Sequence, residues 1–500
     1  MTKVAAPGSA GGRPLGGGSA PWLLREPARP RWVASSPRAP LLVVATVCIG
    51  AFIGQLDASI VSIALPAIGR DLGGSTGQIE WVALSYLLTL VALVAPIGQL
   101  ADSAGRKLLY SYGFAVFGAA SVGCALAGNL IVLDAFRVLQ AVGAAMLQAN
   151  SIALISLAVP RPRLGRAVGV QGAAQAVGLA LGPAVGGLLL EVGSWRLLFV
   201  VNLPASVLGL ITAWLFLPRS RFLVPHRGMD WTGLALFVPA VSAVMLGLSL
   251  TTEDAAPWML GALVVITLLL GGGFVRHARR HPSPALDITL FRRVPFTAGL
   301  ATGLLSYTAT FGLLFTAPGL LETTYGLSHG QAGLTLTCLP AALALTAPLA
   351  GALADRTGTR WVTTAGMVLA TGGLLLITVG PALPELMAAF TLVGVGMALF
   401  TPANNAAIMS SAPTGRAGTA AGILNMTRGM GTALGVAAGT LAFAAAAGST
   451  DPTTVTAIDA ARGGSVTAAV LAGLTVTAAV ITALPHQSRV APERQATDQP

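Results

Sequence analysis

Charge is scarce in this 500-residue chain: Asp, Glu, Lys and Arg make up 9% of it, against 54% apolar residues. A soluble domain carries roughly 25% charged residues, so this chain cannot clothe a globular surface in water. Lysine is nearly missing, with Lys3 and Lys107 alone among 29 basic residues. That bias, with the Ala and Gly excess, fits a GC-rich bacterial genome. Cysteine is limited to Cys48, Cys124 and Cys338, all inside apolar segments. They lack metal or disulfide spacing and read as small buried apolar side chains. All five histidines, His226, His277, His281, His329 and His486, are expected in loops, which argues against a buried histidine relay. There is no P-loop, no GxSxG on a strand and no metal-spaced cluster. ATP-driven pumping by this chain, enzymatic hydrolysis in the membrane and a bound metal or cofactor all lack their residues.

Long apolar runs fill the space that charge leaves. Mean hydropathy is +0.77, and fourteen runs reach spanning length: 41–66, 81–101, 108–128, 130–159, 164–190, 197–217, 231–250, 258–276, 295–320, 332–354, 361–380, 385–411, 416–445 and 464–484. The expected class is an all-α integral membrane protein. The net charge of +11 does not point to nucleic acid, because the basic residues are scattered over short loops. With the N-terminus cytoplasmic, the inner segments hold 24 of the 29 basic residues and the outer loops three (Arg70, Arg196, Arg462). This is the positive-inside pattern, and it puts both termini in the cytoplasm. Trp81, Trp195, Trp231, Trp258 and Trp361 stand at span ends, as an interfacial belt requires.

The chain contains a repeat. Gly98–Leu109 reads GQLADSAGRKLL and Gly351–Val362 reads GALADRTGTRWV. The first lies between spans 2 and 3 and the second between spans 10 and 11, so two six-helix bundles with an inserted pair are expected. The expected division is a disordered basic tail over 1–40, a bundle over 41–217, an inserted pair with its cytoplasmic linkers over 218–294, a second bundle over 295–484 and a tail over 485–500. Internal repeats around a midplane site mark secondary transporters.

The loop G-x-L-A-D-x-x-G-R-K resembles the signature of the major facilitator superfamily. LDASIVSIALP (Leu56–Pro66) resembles the first-span signature of its fourteen-span drug:proton antiporters, the EmrB/QacA type. RVLQAVG (Arg137–Gly143), GLALGPAVGG (Gly178–Gly187) and WRLLFVVNLP (Trp195–Pro204) resemble the fourth-, fifth- and sixth-span signatures. The resemblance runs from about 41 to 440. Ser103, Ala141 and Thr359 depart from the residues usual at their positions.

Asp57 is the only acid deep in a span. Such a charge costs roughly 2.5–3.5 kcal/mol at the helix centre on insertion scales. Gly50, Gly54, Asp57, Val61 and Ala64 share a helix face, so Asp57 points into the bundle. Two roles fit it: a structural acid bonded to a neighbouring helix, or a proton carrier whose charged form is disfavoured by a poorly hydrated cavity. The resemblance implies the carrier. Arg137 has Asp134 one turn back as a simple partner; the resemblance implies instead that it tunes Asp57 and relays the proton.

Gly178, Gly182 and Gly186, with Pro183 and Gly187, form a small-residue row that permits close packing. As a seam between halves it could seal one side of a cavity, and the resemblance associates it with antiport. Gly98, Asp102, Gly105, Arg106 and Lys107, with Gly351, Asp355 and Arg356, form the gating loops. Positive-inside anchoring and a latch between bundles both fit them. Gln140, Gln148, Gln171, Gln175, Asn404, Asn405, Asn425 and Arg428 are candidate cavity-lining groups at membrane depth.

The expected function is proton-coupled export of a drug- or antibiotic-like small molecule across the bacterial inner membrane by alternating access, carried by a monomer in the lipid bilayer. The alternative is a proton-coupled or facilitative transporter of a metabolite on the same fold. With one deep acid and two deep arginines, neutral, zwitterionic or weakly anionic substrates are expected rather than dications.

Overall fold

The computed structural model describes residues 26, 28–73, 76–220, 230–250, 257–281, 284, 286, 288–380, 382–413, 416–448 and 456–484. Described residues that are not helical form turns and links, with no strand among them. Thirteen described helical stretches are long and apolar enough to cross a bilayer, and Trp231–Gly247 adds a shorter apolar one. The fourteen runs of the sequence therefore all appear as helix.

The first bundle comprises α1 (Arg31–Ala34), α2 (Ala39–Leu72), α3 (Thr76–Ala104), α4 (Arg106–Leu126), α5 (Leu130–Ala158), α6 (Leu164–Val192), α7 (Leu197–Val200) and α8 (Asn202–Phe216). Next come α9 (Trp231–Leu250) and α10 (Pro257–Ala278), the inserted pair. The second bundle comprises α11 (Val294–Tyr325), α12 (His329–Leu336), α13 (Cys338–Thr357), α14 (Thr359–Thr378), α15 (Leu383–Ser411), α16 (Ala417–Ala447) and α17 (Ala457–Ala483). Local chemistry sets several ends. The Asn129 side chain accepts from Val132 N–H at 2.9 Å and caps α5, as an N-cap oxygen should. Gly105 at φ 108° provides the positive-φ turn between α3 and α4, a conformation L-residues with a Cβ rarely adopt.

Within the first bundle α2 packs on α6, α5 on α3 and α4, and α4 on α8. Within the second, α11 packs on α16 and α17, and α14 on α15 and α17. The bundles meet along α3–α16 and α6–α13. The inserted pair packs on itself, and α9 rests against α3 and α16. His277 Nε2 lies 2.7 Å from Asp230 Oδ1, and the same oxygen accepts from Gly233 N–H at 2.8 Å, so the trio ties the ends of α9 and α10.

Two expectations need correction. The tail expected as disordered contains ordered structure: Glu26 is buried, Ser220 N–H donates to its carboxylate at 2.6 Å, and Trp32 packs edge-on against Phe216 at 6.2 Å. His277 lies in the last turn of α10 and His329 opens α12, so neither is in a loop. Trp195, at the start of the sixth span, is buried and its Nε1–H donates to Asp71 at 2.9 Å. Residues 485–500 lie outside the described residues.

Candidate functional site

Asp57 and Arg137 meet in the middle of the first bundle. Arg137 Nη1 lies 2.7 Å from Asp57 Oδ2, with side chains 1% and 0% exposed. The other carboxylate oxygen accepts from Gln140 Nε2 at 2.9 Å and Asn202 Nδ2 at 2.8 Å. Arg137 is held in turn: its Nε donates to the Val82 carbonyl at 2.9 Å, Nη1 donates to Gln140 Oε1 at 2.6 Å, and its guanidinium sits 4.2 Å above the Tyr86 ring. Four helices, α2, α3, α5 and α8, thus converge on one ion pair. Every donor facing the carboxylate fits its ionised form. The nearby alternative fails: Asp134 is not Arg137's partner, and its Oδ1 has no hydrogen bond. An i,i+3 neighbour lies along the helix surface, whereas the Arg137 side chain turns inward to Asp57. Asp57 is also sealed behind Arg137 rather than facing a hydrated cavity. Asn202 was missed in the sequence; it stands in WRLLFVVNLP, but nothing in that stretch marks it as a partner of a residue 145 positions away.

A cavity of about 620 Å³ lies between the bundles, lined by Arg137, Gln148, Gln175, Tyr307, Asn425 and Arg428 among others. Of the eight polar candidates, Gln148, Gln175, Asn425 and Arg428 line it. Gln140 belongs to the Asp57 cluster. Gln171 is buried with neither amide atom bonded. Asn404 donates to the Gly299 carbonyl at 2.9 Å and joins α15 to α11, and Asn405 is buried in α15. Asn425 Nδ2 donates to the Gln148 carbonyl at 2.8 Å, a bond between the halves.

The repeated loops tie the two bundles together. Asp102 accepts from Gly418 N–H at 2.9 Å, Thr419 N–H at 3.0 Å and Thr419 Oγ1 at 2.9 Å, and Arg106 Nη2 holds it at 2.5 Å. Asp355 accepts from Gly165 N–H at 2.8 Å and Arg166 N–H at 3.0 Å. Each acid therefore sits on the N-terminus of a helix in the opposite bundle, where free N–H groups and the helix dipole favour a carboxylate. Glycines permit the approach: a Cβ at Gly98 would strike the Gly418 carbonyl, and one at Gly165 would lie 2.6 Å from the Gly351 carbonyl. Gly105 turns against Glu26, and Lys107 N–H donates to Glu26 Oε1 at 3.2 Å. Arg356 is exposed. The acids were visible as a repeat; their backbone partners carry no side-chain signal.

The glycine row differs from its expected role as a seam between halves. A Cβ at Gly178 would lie 2.5 Å from the Phe52 carbonyl, and one at Gly182 would collide with Ser59, so the row packs α6 onto α2 inside the first bundle. Gly186 faces Ile60 more loosely and Gly187 meets nothing. The Pro183 side chain lies outside the described residues. The seam between halves is made instead by Gly165 and Gly169 against Gly351 and Ala347. Gly431, Gly435 and Gly439 form a second such row, packing α16 onto α11.

Residues 47–228 and 299–499 match the family described as the Major Facilitator Superfamily. The riboflavin transporter RibZ of Clostridioides difficile (strain 630) is 31% identical over 399 residues, 79% of this chain and 86% of that protein. The multidrug resistance protein Stp of Mycobacterium tuberculosis (strain H37Rv) is 32% identical over 408 residues, 80% of this chain and 75% of that protein. Among solved structures, the proton:xylose symporter XylE superposes with a TM-score of 0.62 at 14% identity, covering 88% of this chain and 94% of that one. That last likeness carries the fold alone.

Proposed function

The chain belongs to the major facilitator superfamily, a family of multi-pass membrane transporters rather than enzymes, and from that premise we propose that it exports drug-like small molecules across the inner membrane in exchange for protons. Its multidrug-resistance relative supports the export of drug-like substrates. The proton coupling rests on one observation, the buried Asp57–Arg137 pair beside the central cavity.

The charged-loop end faces the cytoplasm, as the positive-inside distribution requires, and both termini lie there. In this conformation Asp102 and Asp355 hold that end shut, and the cavity serves the outer side. Asp57, held by donors and sealed behind Arg137, takes up its proton from the outer side once Arg137 moves aside. Protonation removes the charge that grips Arg137, Gln140 and Asn202. The α2–α5–α8 contact loosens and the balance shifts toward release of the two latches. On the cytoplasmic side the proton leaves and substrate occupies the cavity, so inward proton flow drives substrate out. A monomer contains every part of this cycle.

Asp57→Asn should abolish uphill export in everted vesicles. Because this change strands the Arg137 charge, substrate–substrate exchange is measured alongside: it should persist, since exchange needs alternating access without proton turnover. Uphill export by the Asn variant would overturn the carrier assignment.

A further inference from the structure

We propose that the cavity selects aromatic anions and that Arg428 receives their negative charge; this rests on the cavity being the transport site. The described lining of the cavity contains two charged side chains, Arg137 and Arg428, and no carboxylate. Arg137 is neutralised by Asp57 at 2.7 Å. Arg428 is not neutralised: no described carboxylate lies within ion-pair distance, its Nη1 reaches only Asn425 Oδ1 at 3.2 Å, and its buried Nε has no hydrogen-bond partner. A guanidinium cannot shed its charge by losing a proton in a protein. The cavity therefore holds one uncompensated positive charge at membrane depth, where an unpaired charge is unfavourable. A substrate anion cancels it.

The surroundings specify the rest of the ligand. Tyr307 and Phe311 stand one turn apart on α11 with rings stacked at 5.9 Å and 19°, and both line the cavity. The Arg428 guanidinium lies 5.0 Å from the Tyr307 ring centroid. An aromatic shelf beside a planar cation suits a flat ring system bearing a carboxylate or phenolate. The ring packs on the shelf, and the oxygen meets the guanidinium in a charge-assisted hydrogen bond. A cationic analogue of the same shape meets Arg428 repulsively, which is how a site rejects a near-isostere.

Two xanthene dyes of similar ring system and opposite charge test this, fluorescein and rhodamine 6G, bound to the purified full-length protein and read by fluorescence anisotropy. Fluorescein should bind at least about tenfold more tightly, the gain of one good charge-assisted contact. Arg428→Gln should erase that preference and Arg428→Lys should retain part of it, with melting temperatures confirming that both variants are folded. Equal affinities, tighter rhodamine binding, no fluorescein binding, or a preference unchanged in Arg428→Gln would overturn the proposal. Selective fluorescein binding without proton-driven export would leave the anion site standing and sink the export reading. Proton-driven export of rhodamine 6G without anion preference would do the reverse.

Discussion

The first bundle neutralises its deep charge internally; in the second, no described carboxylate does. Arg137 has Asp57, Gln140, the Val82 carbonyl and the Tyr86 face; Arg428 has Asn425 and the Tyr307 face. The repeat makes the contrast sharper. Asp102 and Asp355 are 253 positions apart, as are their helix-end partners Gly165 and Gly418 and the glycine rows beginning at Gly178 and Gly431. At that spacing Asp57 corresponds to Thr310, Arg137 to Phe390 and Gln175 to Arg428. Latches and packing rows match between the halves, while the cavity-facing chemistry has diverged. The helix-end contacts and the packing rows stayed alike; the groups that face the cavity did not.

The largest expected effect tests that contrast directly. Arg137→Ala leaves Asp57 buried with an uncompensated charge, and breaking a buried pair from one side costs roughly 3–5 kcal/mol. Arg428→Ala strands no charge, leaving only Asn425 Oδ1 without its donor, and should be neutral or stabilising. Thermal unfolding of both variants in detergent measures the difference. Equal losses would mean that Arg428 has an anionic partner within the protein and that the halves are not different in this respect.

Glycine seams come next, because they ask whether the two packing rows are equally tight. A Cβ at Gly435 would lie 2.5 Å from the Thr308 carbonyl, which is backbone and cannot step aside. At Gly182 the obstacles are Ser59 Oγ and Ser59 Cβ, and side-chain rotation does not move the Cβ. Overpacking costs typically 1–3 kcal/mol, so Gly435→Ala and Gly182→Ala should both sit toward the upper end of that range. Gly187→Ala, which meets nothing, should cost nothing and gain helix propensity. A Gly187→Ala loss as large as that of Gly435→Ala would break the packing argument.

The latches differ more subtly. Asp102 is buried and accepts three bonds from α16 in addition to Arg106; Asp355 is partly exposed and accepts two from α6. Removing a helix-capping acceptor costs about 0.5–2 kcal/mol. Asp102→Ala should therefore open the loop end more than Asp355→Ala. Labelling of Gln175→Cys by a membrane-impermeant thiol reagent, with Cys48, Cys124 and Cys338 replaced, reads the opening from the side that the charged loops face. Faster labelling in Asp355→Ala than in Asp102→Ala would reverse the assignment of the stronger latch.

What could be read from the sequence divides along physical lines. All fourteen spans were legible, because bilayer thickness imposes run length on the chain itself. The latch acids were legible because they repeat. Their partners were not, because Gly165, Arg166 and Gly418 contribute backbone N–H groups, which every residue but proline carries. Periodicity identified the Gly178–Gly182–Gly186 row, but it says nothing about which neighbour the row meets; hence the seam was expected between halves and lies within one. Arg137 was offered a partner three residues away, and the one it takes is 80 residues away. Glu26 was hidden in a basic, Pro- and Gly-rich stretch whose composition argues for disorder.

The smallest effect concerns the outer end, where the halves also differ. Asp71 at the end of α2 accepts from Arg196 at 2.6 Å and from Trp195 Nε1 at 2.9 Å; the residue 253 positions on is Thr324, which carries no charge. Hydrogen bonding to Arg196 and then to Trp195 holds the Asp71 carboxyl below its usual value. A carboxylate whose folded value is depressed stabilises the fold fully above its unfolded value, about 3.9, and that contribution fades as pH falls further through the folded value. Acid should thus erode the wild-type melting temperature slightly more steeply than that of Asp71→Asn below about pH 4. The pair is exposed, so salt should shrink the gap. A gap that persists in high salt, or one that widens above neutral pH, would show that this clasp works through packing of Trp195 rather than through charge.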